Sequence, residues 1–453
     1  MRFFTDKKQQ FTVLILLSIL FTSFFHLDII ILADETEPEN VPWPTAPSIY
    51  GASAILIDAD SGAVLYANNV HERLYPASIT KIMTGLLSIE NLSMNDTITY
   101  TDDVLNSLPG DASKLGLMSG ETTTIHDALY ALFLRSANDA AVGLAKKISG
   151  SEQAFGELMT ERARQIGALD TNFVNSTGLH DNMHYTTAYD MALITRAAMS
   201  NSEFSAIWGC QNYTLAATNL SESYRIWHTH SLIVSTSNYY YPAAIGGKTG
   251  YTDEAGRTLV TAAQKNGLKL ISVIMKSDNE HIFSDTASLL DYGFQNFTRV
   301  NIKESETRFG TDSSGIPVIK KLYGSNAKIF SLSGDTILIP ASLSLSEIPY
   351  TIEFLETPDN NIVASITYEY QGNYLGKASL MMNLSNSSEI PLSKPQKAGN
   401  QSGISSSIKE TASINIYILA GIIISCLVVG FILFKILRFK HKMAQMKKRR
   451  TYK

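Results

Sequence analysis

The chain has 453 residues, 45% of them hydrophobic and 17% charged, with two cysteines. That length allows about two to four domains, and the composition supports packed cores and excludes a wholly disordered chain, a disulfide framework and a cysteine-based metal cluster. The net charge of −5 hides a sorting along the chain. From Lys435 to Lys453 there are nine basic residues and no acid, and the first 33 residues hold three basic and two acidic ones. The body between carries 25 Lys and Arg against 40 Asp and Glu, which argues against nucleic acid as its partner.

In chain order, residues 1–33 read as a signal peptide. Lys7-Lys8 precedes the apolar run Phe11–Phe25, and Ala33 offers a small residue at the cut before Asp34-Glu35-Thr36-Glu37. An uncleaved N-terminal anchor is the alternative. Residues 34–47 form a linker. Residues 48–295 mix strand and helix signals. Ser53–Asp58 and Ala63–Ala67 flank Asp60-Ser61-Gly62 as one hairpin, and Thr258–Ala263 and Leu268–Met275 flank Asn266-Gly267 as another. Helical periodicity marks Ile79–Ile89, Ile125–Leu134, Asn138–Ile148, Glu152–Ile166, Thr187–Met199 and Ser284–Tyr292. Strands at both ends with helices between predict an α+β domain whose antiparallel sheet places its first and last strands side by side.

Residues 296–390 change character. Short β-prone runs at Val318-Ile319, 327–330, 336–339, 351–354 and 362–370, separated by turn signals, predict a small all-β domain. Residues 391–413 read as a flexible linker. Ile414–Phe434 is 21 residues without a charge, about 31 Å as a helix, the thickness of a hydrocarbon core. The basic tail 435–453 follows directly. By the positive-inside rule the expectation is a single-pass protein of the cell membrane with a cytoplasmic C-terminus and an extracytoplasmic body. Cys210 and Cys426 fall in separate segments.

Three short motifs carry chemistry. Pro76-Ala77-Ser78-Ile79-Thr80-Lys81 puts Ser78 and Lys81 on one helix face, close enough for the amine to reach the hydroxyl. A serine needs a base to become a nucleophile, and lysine serves only when neutral. Alone, the pair more often marks a capping serine and a solvated lysine than a catalytic couple. Ser136-Ala137-Asn138 stands at a break between helices, where it can supply a hydroxyl and an amide or simply an N-cap. In Ile245-Gly246-Gly247-Lys248-Thr249-Gly250-Tyr251-Thr252 a phosphate loop is excluded, because Pro242 occupies its first glycine position and no helix follows. Lys248 and Thr249 on a strand edge instead offer a cation and a hydroxyl to an anion, with glycines letting a substrate backbone approach.

Together and in this order the motifs resemble those of the penicillin-recognising serine acyl-transferases. Lys114-Leu-Gly, Leu134-Arg-Ser-Ala-Asn-Asp-Ala-Ala141, Asn175-Ser-Thr-Gly-Leu179, His184-Tyr-Thr-Thr-Ala-Tyr-Asp190 and Leu289-Leu-Asp-Tyr-Gly-Phe294 are similar to segments of the serine D-alanyl-D-alanine carboxypeptidases, the low-molecular-mass penicillin-binding proteins. The likeness covers residues 48–295, and a following β domain with a C-terminal anchor is similar to that group's layout. The resemblance implies a peptidoglycan stem peptide ending in D-Ala-D-Ala as substrate, β-lactams as inhibitors and no metal or organic cofactor. It implies Ser78 as nucleophile and acyl-ester site, Lys81 as general base, Ser136 as proton relay and Asn138 as a substrate-backbone ligand. Lys248, Thr249 and Gly250 would bind the substrate, and the backbone N–H of Tyr251, with that of Ser78, would form the oxyanion hole. Some members of the group have His where Tyr251 stands. His228 and His230 are either cleft residues or ordinary surface or strand histidines, and His180–His184 lacks a metal-site context. The alternatives are a D,D-endopeptidase on the same site and a degenerate wall-binding scaffold.

Overall fold

The computed structural model describes residues 41–306, 308, 329–332, 336–359 and 362–382. The expected signal segment 1–33, the linker 391–413, the membrane span 414–434 and the basic tail lie outside the described residues. Among the described residues, no helix is long and apolar enough to cross a membrane.

The larger part is built on β1 (Ser53–Asp58), β2 (Val64–Asn68), β3 (Ala244–Thr252), β4 (Gly256–Lys265) and β5 (Leu268–Ser277). They form one antiparallel sheet in the order β2-β1-β5-β4-β3. The first and last strands are neighbours, as expected, with Ile55 opposite Val273 and Ile57 opposite Ile271. Asn266 and Gly267 have φ of 51° and 79°, the left-handed pair that a two-residue hairpin requires. Every residue of β1 is buried because the sheet is covered on both faces.

On one face Ile55, Ile57, Val260 and Val273 pack with Ile82, Leu86, Leu132 and Phe133. These last belong to a helical layer of α1 (Lys81–Asn91), α2 (Ile125–Leu134), α3 (Asn138–Ser149), α4 (Glu152–Ile166), α5 (Ala188–Met199) and α6 (Ser202–Trp208). On the other face Leu56 and Leu270 meet Leu290 and Tyr292 of α7 (Ile282–Asn296). Hydroxyl caps from Thr124, Ser151 and Thr187 start α2, α4 and α5. The first helix begins two residues later than its periodicity predicts. Ala77–Thr80 forms a 3-10 turn instead, entered through Ala77 at φ 50°. The antiparallel pairs Thr97–Thr99 with Thr122–Thr124 and Asn212–Leu215 with Tyr224–Trp227 were too short for alternation to reveal.

Beyond α7 the chain turns to strands: β6 (Phe297–Asn301), β7 (Ile329–Leu332), β8 (Thr336–Pro340), β9 (Tyr350–Asp359), β10 (Ile362–Tyr370) and β11 (Asn373–Met382). β6 pairs with β8, and the other four form a sheet in the order β7-β11-β10-β9. Ile337, Ile366, Tyr368, Leu375 and Leu380 fill its core. β11 gave no β-prone run in the sequence. It is folded back by the left-handed pair Gln371-Gly372, with Tyr370 opposite Asn373. The predicted run Val318-Ile319 lies outside the described residues.

Besides the packing of Phe297 and Leu338 with Leu56 and Leu65, an arginine ties these strands to the first hairpin. Arg299 on β6 donates to Asp58 at 2.8 Å and also pairs with Asp60. The Asp58 side chain is 3% exposed and its other oxygen accepts from Ser61 N and Oγ. Removing Arg299 leaves a buried carboxylate oxygen without its cation, at a cost of about 1–3 kcal/mol. Arg299→Ala should therefore lower the melting temperature by several degrees, as read by calorimetry. An unchanged melt would show that water replaces the guanidinium without loss.

Candidate active site

Ser78 sits in the middle of the 3-10 turn at the edge of the cleft, half-buried, and Lys81 one turn on is fully buried. Its Nζ lies 3.0 Å from Ser78 Oγ, 2.6 Å from Asn138 Oδ1 and 2.6 Å from the Thr177 carbonyl oxygen. Burial first, and the neighbouring Lys248 second, hold this amine well below the usual lysine pKa. Asp139 and Glu152 act in the opposite direction. Lys248 thus contributes to the depression, but desolvation is the larger cause.

The Thr177 carbonyl is the partner that the sequence reading missed. It lies in the loop Asn175-Ser-Thr-Gly-Leu179, which a set of local bonds makes rigid. Asn175 Oδ1 accepts from Thr177 N, Thr177 Oγ1 and Gly178 N. Glu152, at the start of α4, accepts from Ser176 N and Oγ. Burial raises the pKa of that carboxyl. Gly178 has φ 80°, and a Cβ there would stand 1.8 Å from the Ala77 carbonyl oxygen. The pattern Asn-x-x-Gly, an Asx turn ending in a left-handed glycine, was the available signal. A main-chain acceptor carries no residue type by which to recognise it.

Ser136 and Asn138 straddle the join between α2 and α3. Ser136 has φ 54° and its Oγ accepts from Lys248 Nζ at 3.0 Å. Ala137 caps α3 without a side-chain bond, so neither Ser136 nor Asn138 serves as an ordinary N-cap. Asn138 N donates to the Ser113 carbonyl, and Asp139 accepts from the backbone of Leu115, Gly116 and Leu117. The Lys114-Leu-Gly segment is therefore a loop docked on the start of α3. With Asn138 Oδ1 turned to Lys81, its Nδ2 has no partner among the described residues and remains available to a ligand.

β3 forms the facing wall and is the edge strand of the sheet. Lys248 is fully buried, donating to Ser136 Oγ and, at 2.7 Å, to the Thr249 carbonyl. Burial lowers its pKa to about 7. Of this coupled pair, Lys81 gives up its proton more readily, because it is as deeply buried and also feels the Lys248 charge. The Thr249 hydroxyl has no partner among the described residues. A Cβ on Gly250 would come 2.8 Å from Ser78 N, so glycine lets the strand close on the nucleophile turn. Thr258 Oγ1, across the hairpin, donates to the Pro76 carbonyl and holds that approach. Tyr251 points outward, its ring beneath Arg257 and its hydroxyl donating to Asp253.

Two expectations need correction. Gly246 and Gly247 do not clear a path for substrate. A Cβ on either would strike Trp208 or His230 from the protein interior. His228 and His230 are neither cleft nor surface residues but lie buried behind β3. His228 Nδ1 accepts from His230 N, so Nε2 carries the proton and donates to the Trp208 carbonyl. Burial lowers the His228 pKa to about 3 and that of His230 well below the usual value. His184 is likewise structural. Its Nδ1 accepts from Val174 N, leaving Nε2 to donate to Thr80 Oγ1 beside the nucleophile turn.

A serine facing a desolvated lysine, with a second buried lysine on the edge strand opposite, is the arrangement of the penicillin-recognising serine enzymes, and the antiparallel sheet flanked by helices is their fold. The protein-family model described as D-alanyl-D-alanine carboxypeptidase matches residues 40–279. The chain belongs to that family, serine peptidase family S11. The D-alanyl-D-alanine carboxypeptidase DacF of Bacillus subtilis is 34% identical over 289 residues, covering 59% of this chain and 72% of the relative. DacD of Escherichia coli is 31% identical over 286 residues, covering 60% and 71%. Among solved structures, a D-alanyl-D-alanine carboxypeptidase of Mycobacterium tuberculosis superposes with a TM-score of 0.51 at 29% identity, over 57% of this chain and 95% of that one. Penicillin-binding protein 6B of Escherichia coli, at 24% identity, shares the fold with a TM-score of 0.58 over 76% of this chain and 99% of its own.

The Lys81 geometry depends on the 175–179 loop, which supplies a test. Gly178→Ala drives a methyl into the Ala77 carbonyl at a residue already left-handed, so the Thr177 carbonyl and the Ser78 turn must separate. Stopped-flow acylation by a fluorescent penicillin should slow by about a hundredfold or more, in line with misplacing a catalytic group by an ångström. A normal acylation rate would show that the Thr177 contact is dispensable.

Proposed function

We propose that the protein removes the C-terminal D-alanine from peptidoglycan stem pentapeptides through an acyl ester on Ser78. The observation that carries this reading is the coordination of Lys81. A neutral amine has two N–H bonds and one lone pair. Asn138 Oδ1 and the Thr177 carbonyl, both pure acceptors, take the two hydrogens. The lone pair is left toward Ser78 Oγ, so the serine hydroxyl becomes the donor in the 3.0 Å contact.

In this reading the terminal carboxylate is held by Lys248 and Thr249, and Asn138 Nδ2 donates to a substrate carbonyl. Ser78 Oγ attacks the penultimate carbonyl carbon as its proton passes to Lys81 Nζ. The oxyanion is held by the N–H groups of Ser78 and Tyr251, each contributing about 2.7–4 kcal/mol. The C–N bond breaks as Ser136 hands its proton to the departing D-alanine nitrogen and takes up the one held on Lys81, which is left neutral for the second half of the reaction. Water then cleaves the ester, its proton returning through Lys81. A β-lactam acylates the same oxygen. D,D-endopeptidase cleavage would use the same steps with a longer leaving group. A degenerate scaffold would have no reason to keep a buried, fully coordinated lysine.

The remaining expectations belong to the same proposal and rest on sequence alone. Residues 1–33 direct export, 414–434 anchor the chain in the cell membrane, and the catalytic part works outside beside its wall substrate. The all-β part, 296–390, spaces that site from the bilayer.

Mass spectrometry of pentapeptide muropeptides incubated with the protein should show loss of one alanine. Wild type should carry a covalent penicilloyl group and Ser78→Ala none; equal labelling of the two would falsify the acyl-enzyme. The pH profile gives an independent check. kcat/KM should rise with pH as Lys81 loses its proton and fall again near pH 7, where the free enzyme's Lys248 loses its own. Replacing Lys248 with alanine removes a repelling cation, so the Lys81 pKa rises and the acid limb should move to higher pH. An acid limb that stays in place would show that the Lys248 charge does not reach Lys81.

A further inference from the structure

The antiparallel pair Asn212–Leu215 with Tyr224–Trp227 has an outward face that no step of the proposed reaction uses. Asn212 stands opposite Trp227, and Thr214 opposite Arg225, two residues apart on each strand and so on one side of the ribbon. Along the second strand and past its end, Arg225, Trp227 and Thr229 are exposed, while Ile226, His228 and His230 are buried. Arg225 lies over the Trp227 ring at 5.9 Å, and Trp227 is 52% exposed. The side chains of Asn212, Thr214, Arg225 and Thr229 have no hydrogen bond or ion pair among the described residues.

This row runs into the wall of the cleft. Thr229 N donates at 3.1 Å to the carbonyl of Leu134, two residues before Ser136. His230, next in the chain, packs behind Gly247 of β3. The face therefore adjoins the cleft at the start of β3. In the proposed mechanism the terminal carboxylate lies at Lys248 and the peptide continues past Tyr251, toward the far end of that strand. Whatever occupies the face is a neighbour of the substrate and not the peptide being cut.

The chemistry of the face restricts its occupant. An exposed indole offers a broad apolar ring with which the C–H face of a sugar can stack. The Asn212 amide both donates and accepts, as an acetamido group does, and the two threonine hydroxyls match sugar hydroxyls. With one cation and no acid among its five residues, the face fits a neutral ligand; a polyphosphate chain calls for several cations. From strand spacing and rise it measures on the order of 150 Å², against roughly 800 Å² per partner in a stable protein complex.

We propose that this face is a docking platform for the glycan backbone of the wall, a strand of N-acetylated sugars next to the one whose stem peptide is cut. The inference rests on the carboxypeptidase reading, which puts that polymer beside the cleft. Holding a strand here raises the local concentration of stem peptides around Ser78 and leaves the chemical step untouched.

The test uses the full-length protein in detergent and immobilised glycan strands from which an amidase has removed the stem peptides. Wild type should bind them. Trp227→Ala should weaken binding by about tenfold, the scale of one well-made aromatic stack, and Trp227→Phe should keep most of it. Trp227→Ala should cleave a free pentapeptide at the wild-type rate but release alanine several-fold more slowly from intact, pentapeptide-rich wall. A wild type that ignores the stripped strands, a Trp227→Ala variant that binds them equally well, or binding to immobilised poly(glycerol phosphate) in their place overturns the platform and leaves the carboxypeptidase reading intact. Glycan binding that depends on Trp227, without release of alanine from any peptide, upholds the platform and overturns the carboxypeptidase reading.

Discussion

The burial of one amine organises this molecule. Lys81 is taken wholly out of water, with Lys248 beside it to disfavour its charge. A buried ammonium without a carboxylate partner is costly, and the proton is the cheapest thing to give up. Once neutral, the amine needs only acceptors for its two hydrogens, and the fold brings them from two separate elements, the first turn of α3 and the loop before α5. The carboxylates that would keep it charged are otherwise engaged. Asp139 is turned to the backbone of Leu115–Leu117, and Glu152 to Ser176. The same acids that tie down the surrounding loops are thereby kept from pairing with the Lys81 amine.

Holding a hydroxyl, an amine and an edge strand so close requires backbone that ordinary residues avoid. Ala77 and Ser136, the one preceding the nucleophile and the other bearing the hydroxyl opposite it, both have left-handed φ without being glycine. Each such residue costs on the order of 1–3 kcal/mol and persists only where its surroundings fix it. The fixing groups are identifiable: Thr258 on the Pro76 carbonyl, His184 on Thr80, and Ala137 N reaching back to the Ala131 carbonyl. Gly178 and Gly250 sit where the strained turn touches its neighbours, since a side chain at either position would push the turn away. Strain and support are concentrated on the same few residues.

The parts of this arrangement that could be read in the sequence are those encoded by side-chain type and spacing. Ser78 and Lys81 three apart, Ser136 and Asn138 at a helix break, and Lys248-Thr249 on a strand are brought into one cleft. The hairpin signals at Asp60-Ser61-Gly62 and Asn266-Gly267, with helices between them, were enough to place the first and last strands together. What escaped was encoded in the main chain or in packing. The Thr177 carbonyl has no signature, and the 3-10 turn that carries Ser78 follows from Ala77 φ, which no alanine announces. The second hairpin strand at Asn373–Met382 contains Gly376 at φ 154°, lying over Ile337, and that glycine broke the β-prone pattern which would have marked it. Gly246-Gly247 was misassigned for the same reason. A glycine pair beside Lys248 looks like room for substrate, whereas the space is taken from behind by Trp208 and His230.

Those two histidines show how the site controls its charge. A polar layer behind β3 was needed, since Thr261 is buried there and His230 Nε2 bonds its hydroxyl at 2.9 Å. Had either ring been protonated, it would have added a cation behind Lys248 and weakened that lysine's hold on its own proton. Burial keeps both rings neutral, so they supply hydrogen bonds without field. Lys248 therefore remains the cation that this strand offers, and in the proposed mechanism it is the group that meets the terminal carboxylate. In that mechanism its pKa of about 7 would climb as the anion binds, because an opposite charge at contact favours the ammonium. Substrate binding then sharpens the division of labour between the two lysines. The anion fixes the proton on Lys248, and the resulting positive charge, facing Lys81 across the cleft, helps keep the base free to accept the serine's.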